Sequence, residues 1–147
     1  MIQIDIKKDV IPVRVGEVEF EFEATRENVA KLFDIYDNPE KFEKSLKTKF
    51  KKEVAELEND ENSKVSKFSR MSDLEVKIAR ESFDLLLGKG SFNKIYKVYS
   101  DVGTLLYTVL PQVSESLGLE VGKRFESQIK DQEKFKKKYL KEKRKNK

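Results

Sequence analysis

Residues 11–22 read Ile-Pro-Val-Arg-Val-Gly-Glu-Val-Glu-Phe-Glu-Phe, and this run constrains the fold more than any other part of the chain. Apolar and polar residues alternate strictly on both sides of Gly16-Glu17, the period of a half-buried strand. A two-residue turn with glycine at its first central position predicts a type II′ β-hairpin. That register pairs Val15 with Val18, Val13 with Phe20 and Ile11 with Phe22, and puts all six side chains on one face. Arg14 falls opposite Glu19 on the other face, opposite charges across the ladder. A slip of one residue scatters the apolar set, so the register is well specified. Burying these side chains is worth roughly 1.5–3 kcal/mol each before entropic costs. An isolated hairpin is marginal in water, so the face needs a cover. Pro12 reads as an edge position, because it has no N–H to give to a ladder. Upstream, Ile2, Ile4 and Ile6 also alternate with polar residues, which makes Ile2–Ile6 a candidate third strand.

The remainder reads as helices. Thr25 is a good N-cap for a helix carrying Val29, Leu32, Phe33 and Tyr36. Asp37-Asn38-Pro39 breaks it. From Glu40 a longer amphipathic helix is expected, with Phe42, Leu46, Phe50, Val54 and Leu57 on its apolar face, ending in the polar loop Asn59-Asp60-Glu61-Asn62-Ser63. The next helix is expected to begin near Ser72 and Asp73. Leu74, Ile78, Ser82 and Leu85 line one side of it, and Phe83 and Leu86 widen the stripe. Gly88-Lys89-Gly90 stops it. Ser91 is then positioned to cap a short helix with Phe92, Ile95, Tyr96 and Tyr99. Residues 101–117 are the most apolar part of the chain and the expected centre of the helical core, with a kink or break at Pro111. Gly118 and Gly122 punctuate the chain before a basic tail. The expectation is an α+β protein, mainly α. An N-terminal antiparallel hairpin, two- or three-stranded, packs on about five helices. The divisions are 1–24 for the hairpin region, 25–122 for the helical domain and 123–147 for a basic helical or partly disordered tail.

Composition narrows the chemistry. Of 147 residues, 39% are charged and 37% hydrophobic, against a globular average of roughly 25% charged, so the core is thin and the surface heavily ionised. There is no cysteine and no histidine. That removes disulfides, thiol nucleophiles, thiolate metal sites, the commonest general base and the commonest metal ligand. No apolar run approaches the ~18 residues of a membrane span. The start Met1-Ile2-Gln3-Ile4-Asp5 does not have the form of a secretory signal, so a cytoplasmic address is expected. The net charge of +4 divides unevenly: residues 130–147 carry ten basic and three acidic residues, net +7, which leaves −3 for residues 1–129.

Several constellations touch on known chemistry. Gly88-Lys89-Gly90-Ser91-Phe92-Asn93 resembles part of a kinase glycine-rich loop, but Asn93 holds the third glycine position and no lysine-strand, catalytic-loop or Asp-Phe-Gly motif accompanies it. A helix–helix turn is expected instead, and the Walker A spacing is absent too. Asp60, Glu61 and Asn62 lack the glycine and glutamate of a calcium loop. The abundant carboxylates lie in mixed Lys/Glu helical faces, where surface pairing is the ordinary role. No catalytic residue, cofactor or metal site is therefore expected, and no enzymatic activity. Phe125, Ile129, Gln132, Phe135 and Tyr139 form a sparse apolar stripe on a charged helix. Phe125, Ile129, Phe135 and Tyr139 are the candidate partner-binding residues, suited to another protein's groove. Packing of Phe125 and Ile129 on the chain's own core is the alternative. The surrounding lysines attract phosphate backbones, yet no recognition motif precedes them.

The run Ile11 to Phe22, followed directly by Thr25 and a helix and then by a wholly helical remainder, resembles the tail assembly chaperones of long, non-contractile-tailed bacteriophages. The likeness covers roughly the first 35 residues well and the rest in the order of elements. It implies a non-enzymatic role: binding the tape-measure protein, keeping it soluble and helping to recruit tail-tube protein. It also implies several copies along the client, residence in the host cytoplasm and absence from the mature virion. Many such chaperones occur in a short and a frameshift-extended form, and the lysine-rich ending Lys141–Lys147 is compatible with a slippery A-rich message. The alternative function is a nucleic-acid-associated accessory protein acting through the basic tail.

Overall fold

The computed structural model describes residues 1–59 and 64–145. Its sheet is the hairpin: β1 (Val10–Val15) runs antiparallel to β2 (Val18–Glu23) with Val15 opposite Val18, Val13 opposite Phe20 and Ile11 opposite Phe22. Gly16 takes φ +60° and, among the described residues, no non-glycine residue has positive φ, the signature of the type II′ turn. Ile11 and Phe22 are buried, and Val13, Val15, Val18 and Phe20 are half-buried. The cover is helical, since β2 packs on α4 (Lys64–Leu87) and α5 (Ser91–Val98). Arg14 and Glu19 face each other as expected, but no ion pair forms between them among the described residues.

The sheet is two-stranded, not three-stranded. Ile2, Ile4 and Ile6 make no strand and remain exposed. Asp9 is already committed to the hairpin, since its carbonyl accepts the Ala24 N–H at 2.8 Å. Only Lys7-Lys8 is left to form a return, and neither residue favours the positive φ of a tight turn.

Helix α1 (Arg26–Tyr36) begins where Thr25 accepts the Asn28 N–H at 3.1 Å, and the Asn28 amide donates back to the Glu23 carbonyl at 2.9 Å, tying the helix to β2. Pro39 opens α2 (Pro39–Lys49), where a missing N–H is harmless. The long helix expected through Leu57 is instead two. Phe50 leaves helical geometry at φ −103°, ψ 30°, and α3 (Lys51–Glu58) follows. The bend lays α3 along α4, where Lys77 reaches Glu53 at 3.2 Å, and Lys49 at the end of α2 pairs with Glu81. Asp60–Ser63, with the polar-loop and calcium-loop readings, lie outside the described residues.

Helix α4 starts at Lys64, well before Ser72. Its buried face is Leu74, Glu75, Ala79, Ser82, Phe83, Leu86 and Leu87. Ile78 and Leu85 are only half-buried, because Phe83 and Leu86 carry the packing. Gly88 and Gly90, at φ +101° and +87°, make the turn into α5, so the glycine-rich loop joins two helices. The cap of α5 is not Ser91 but Asp84, whose carboxylate accepts the Phe92 N–H at 3.0 Å. Ser91 lies inside the helix and donates to the Phe83 carbonyl at 2.9 Å. Phe83, Phe92 and Tyr96 run in sequence through this joint, with ring centroids 6.2 and 5.1 Å apart.

Pro111 does not split the helix, and the distortion beside it is a change of helix type. A single turn, α6 (Val102–Thr104), leads into a π-helical segment, Leu105–Val109, and then α7 (Leu110–Lys145). Proline has no N–H for a carbonyl one turn back; the ladder widens just before it, with the Leu110 N–H bonded to the Leu105 carbonyl. Leu105, Leu110, Leu117 and Val121 are buried. Gly118 and Gly122 do not interrupt the chain. At Gly118 a Cβ would lie 2.9–3.1 Å from the Tyr36 ring, so this glycine is where α1 and α7 approach closely. Among the described residues no helix is long and apolar enough to cross a membrane.

Candidate protein-docking arm

On α7 the buried positions Leu110, Ser114, Leu117, Gly118 and Val121 recur at helical spacing and then stop. The last side chain engaged with the body is Arg124, which pairs with Asp9 and reaches the Val10 carbonyl at 3.4 Å. From Phe125 to Lys143 every residue is exposed, while the helix continues unbroken to Lys145. At about 1.5 Å per residue this segment extends roughly 30 Å beyond the core contacts.

The four candidate residues all lie on this arm. Phe125, Ile129, Phe135 and Tyr139 are 61%, 40%, 72% and 55% exposed. Phe125 and Ile129 thus do not pack on the chain's own core. The spacing keeps the four on one broad side of the helix, and Leu140, absent from the sequence stripe, is exposed beside them. Lys134, Lys137, Lys138 and Lys141 surround Leu140 in a shallow concavity. Such exposed apolar groups framed by lysine stems and ammonium groups suit a partner that is apolar on one face and acidic around it.

Sequence reasoning missed a second exposed stripe. Because α4 begins at Lys64, its first turns carry Val65, Phe68 and Met71, all exposed. Their spacing of three, leading on to Leu74, was the available signal; the polar residues Ser63, Ser66, Ser69 and Ser72 obscured it. Among the described residues no group of three or more acidic side chains is placed to hold a metal ion.

Fold and arm together define a mainly helical α+β protein with a small N-terminal hairpin and an amphipathic helix that leaves the body. Compared with protein-family models, curated protein sequences and solved structures, the chain has no significant match in any of the three.

Proposed function

We propose that this protein acts without catalysis, by reversible binding of another protein's amphipathic helices. The particular reading is a phage tail assembly chaperone that holds a tape-measure protein soluble and assists tail-tube assembly. The observation that carries it is the arm: aromatic and aliphatic side chains displayed on a basic helix with no cover from the chain's own core. Large exposed apolar groups on such a helix favour association, and a helix laid against helices recognises its partner through anchors three and four residues apart. The resemblance of the hairpin-then-helix layout supplies the choice of client.

The test is co-expression with a tape-measure protein, comparing the intact chain with one in which Phe125, Ile129, Phe135 and Tyr139 are serine. The intact chain is expected to keep the client in the soluble fraction and co-purify with it, and the substituted chain is expected to do neither. Unchanged client solubility in the presence of the intact chain overturns the reading. The clustered lysines Lys134, Lys137, Lys138 and Lys141 support a second reading, a nucleic-acid accessory role. It requires binding whose logarithm falls steeply with the logarithm of salt concentration, and absence of binding at low salt eliminates it.

A further inference from the structure

The hairpin has one side still open, and the same chain carries an alternating apolar segment without a place. The residues that flank a two-residue turn exchange both backbone bonds, so Val15 bonds Val18, and the alternation gives the same role to Val13 with Phe20 and Ile11 with Phe22. The bond from the Ala24 N–H to the Asp9 carbonyl continues it. The backbone groups of Val10, Pro12 and Arg14 therefore point away from β2. Arg124 reaches the Val10 carbonyl. The Pro12 carbonyl and both backbone groups of Arg14 have no backbone partner among the described residues.

This edge forms one wall of an open groove of about 640 Å³, whose other wall is the first half of α7, with Val109, Gln112, Val113, Ser116 and Leu117. Ile2, Ile4 and Ile6 are 90%, 80% and 87% exposed, and alternate as a strand with one apolar face. Within one chain they do not reach the edge in a working register. Only Lys7-Lys8 is available as a turn, and a two-residue turn would need Asp9 to bond toward Ile6 while Asp9 is bonded toward Ala24. The same segment from another molecule has no such restriction.

We infer that residues Ile2–Ile6 of one copy add to the β1 edge of a second copy, with the isoleucines in the groove against Val13, Val113 and Leu117. Charge agrees with this. When the isoleucines face the groove, Asp5 lies on the outer face, where Arg14 has no ion pair among the described residues; an acid beside that arginine is a favourable cross-strand pair. Reciprocal exchange covers both edges and both sets of isoleucines, and removes the exposed edge that strands otherwise present. The missing N–H of Pro12 limits the ladder to a short patch, so the isoleucine side chains supply most of the contact.

The test is the mass in solution of the full chain by light scattering and sedimentation. The wild type is expected to self-associate, and Ile2→Ser/Ile4→Ser/Ile6→Ser to run at the mass of one chain, 17.2 kDa. Ser116→Arg, at an exposed groove position, is expected to do the same with an unchanged helical spectrum. A monomeric wild type, or either variant associating like the wild type, overturns the proposal.

Discussion

Gly118 and Gly122 sit one turn apart on α7 and make opposite demands. A Cβ at Gly118 would enter the Tyr36 ring at 2.9–3.1 Å, whereas at Gly122 nothing lies within 4 Å. Gly118→Ala is expected to destabilise by about 1–3 kcal/mol through overpacking. Gly122→Ala is expected to stabilise by roughly 0.5–1 kcal/mol, the ordinary gain of replacing glycine inside a helix. Urea unfolding of the two variants checks the pair. Glu75 poses a different problem, since its carboxylate is buried on α4. The Tyr107 pKa is raised above its ordinary value, by burial first and then by the nearby Glu75 charge.

At the scale of elements, the hairpin was legible in the sequence down to each residue pair, because period two and a glycine turn leave one register that buries the apolar face. The helices were legible in kind and order but less so at their limits. Phe50 sits in step with Leu46 and Val54, so nothing in the apolar pattern marks the break the backbone makes there. Ser91 looked like a cap, while the side chain that serves is Asp84, seven positions upstream and brought back by two left-handed glycines. Pro111 signalled a distortion, but not that it takes the form of a π-helical turn ahead of the proline. The arm residues were found from their spacing; their exposure depends on where the core ends, which spacing does not tell. One joint between elements is pH-sensitive. Glu53 is held below its ordinary pKa of 4.5 by its own backbone N–H in the first turn of α3 and then by Lys77 of α4. A lowered folded-state pKa contributes stability above the unfolded value that is lost as pH falls through the folded one. The stability difference between wild type and Glu53→Gln is thus expected at neutral pH and to vanish once the pH drops below that lowered pKa, as read from thermal unfolding across an acid series.

For the whole molecule, the charge division becomes spatial. The segment 130–147 that carries net +7 includes the outer part of the arm, while the mildly acidic remainder builds the body and the start of the arm. The exposed side chains of the arm are consequently separable from the folded core. Phe125→Ser, Ile129→Ser, Phe135→Ser and Tyr139→Ser touch no core side chain, so each is expected to leave unfolding within about 0.5 kcal/mol of wild type. Loss of client binding by a combination of the four, together with an unchanged unfolding curve, is the expected signature. A drop in stability of several kcal/mol would instead mean that the arm packs on the body.

The continuity of α7 also imposes an order on synthesis. The core closes only when Leu110, Leu117 and Val121 are available to α1 and the joint at Leu105. These residues leave the ribosome ahead of Phe125 and everything beyond it, and domains fold as units while the chain emerges. The exposed apolar segment is thus the later part to appear, and it joins a body whose own apolar face already has its partners in reach. A nascent chain of this design displays its exposed apolar helix after its core has the means to close, which keeps the two sets of apolar side chains from competing for each other.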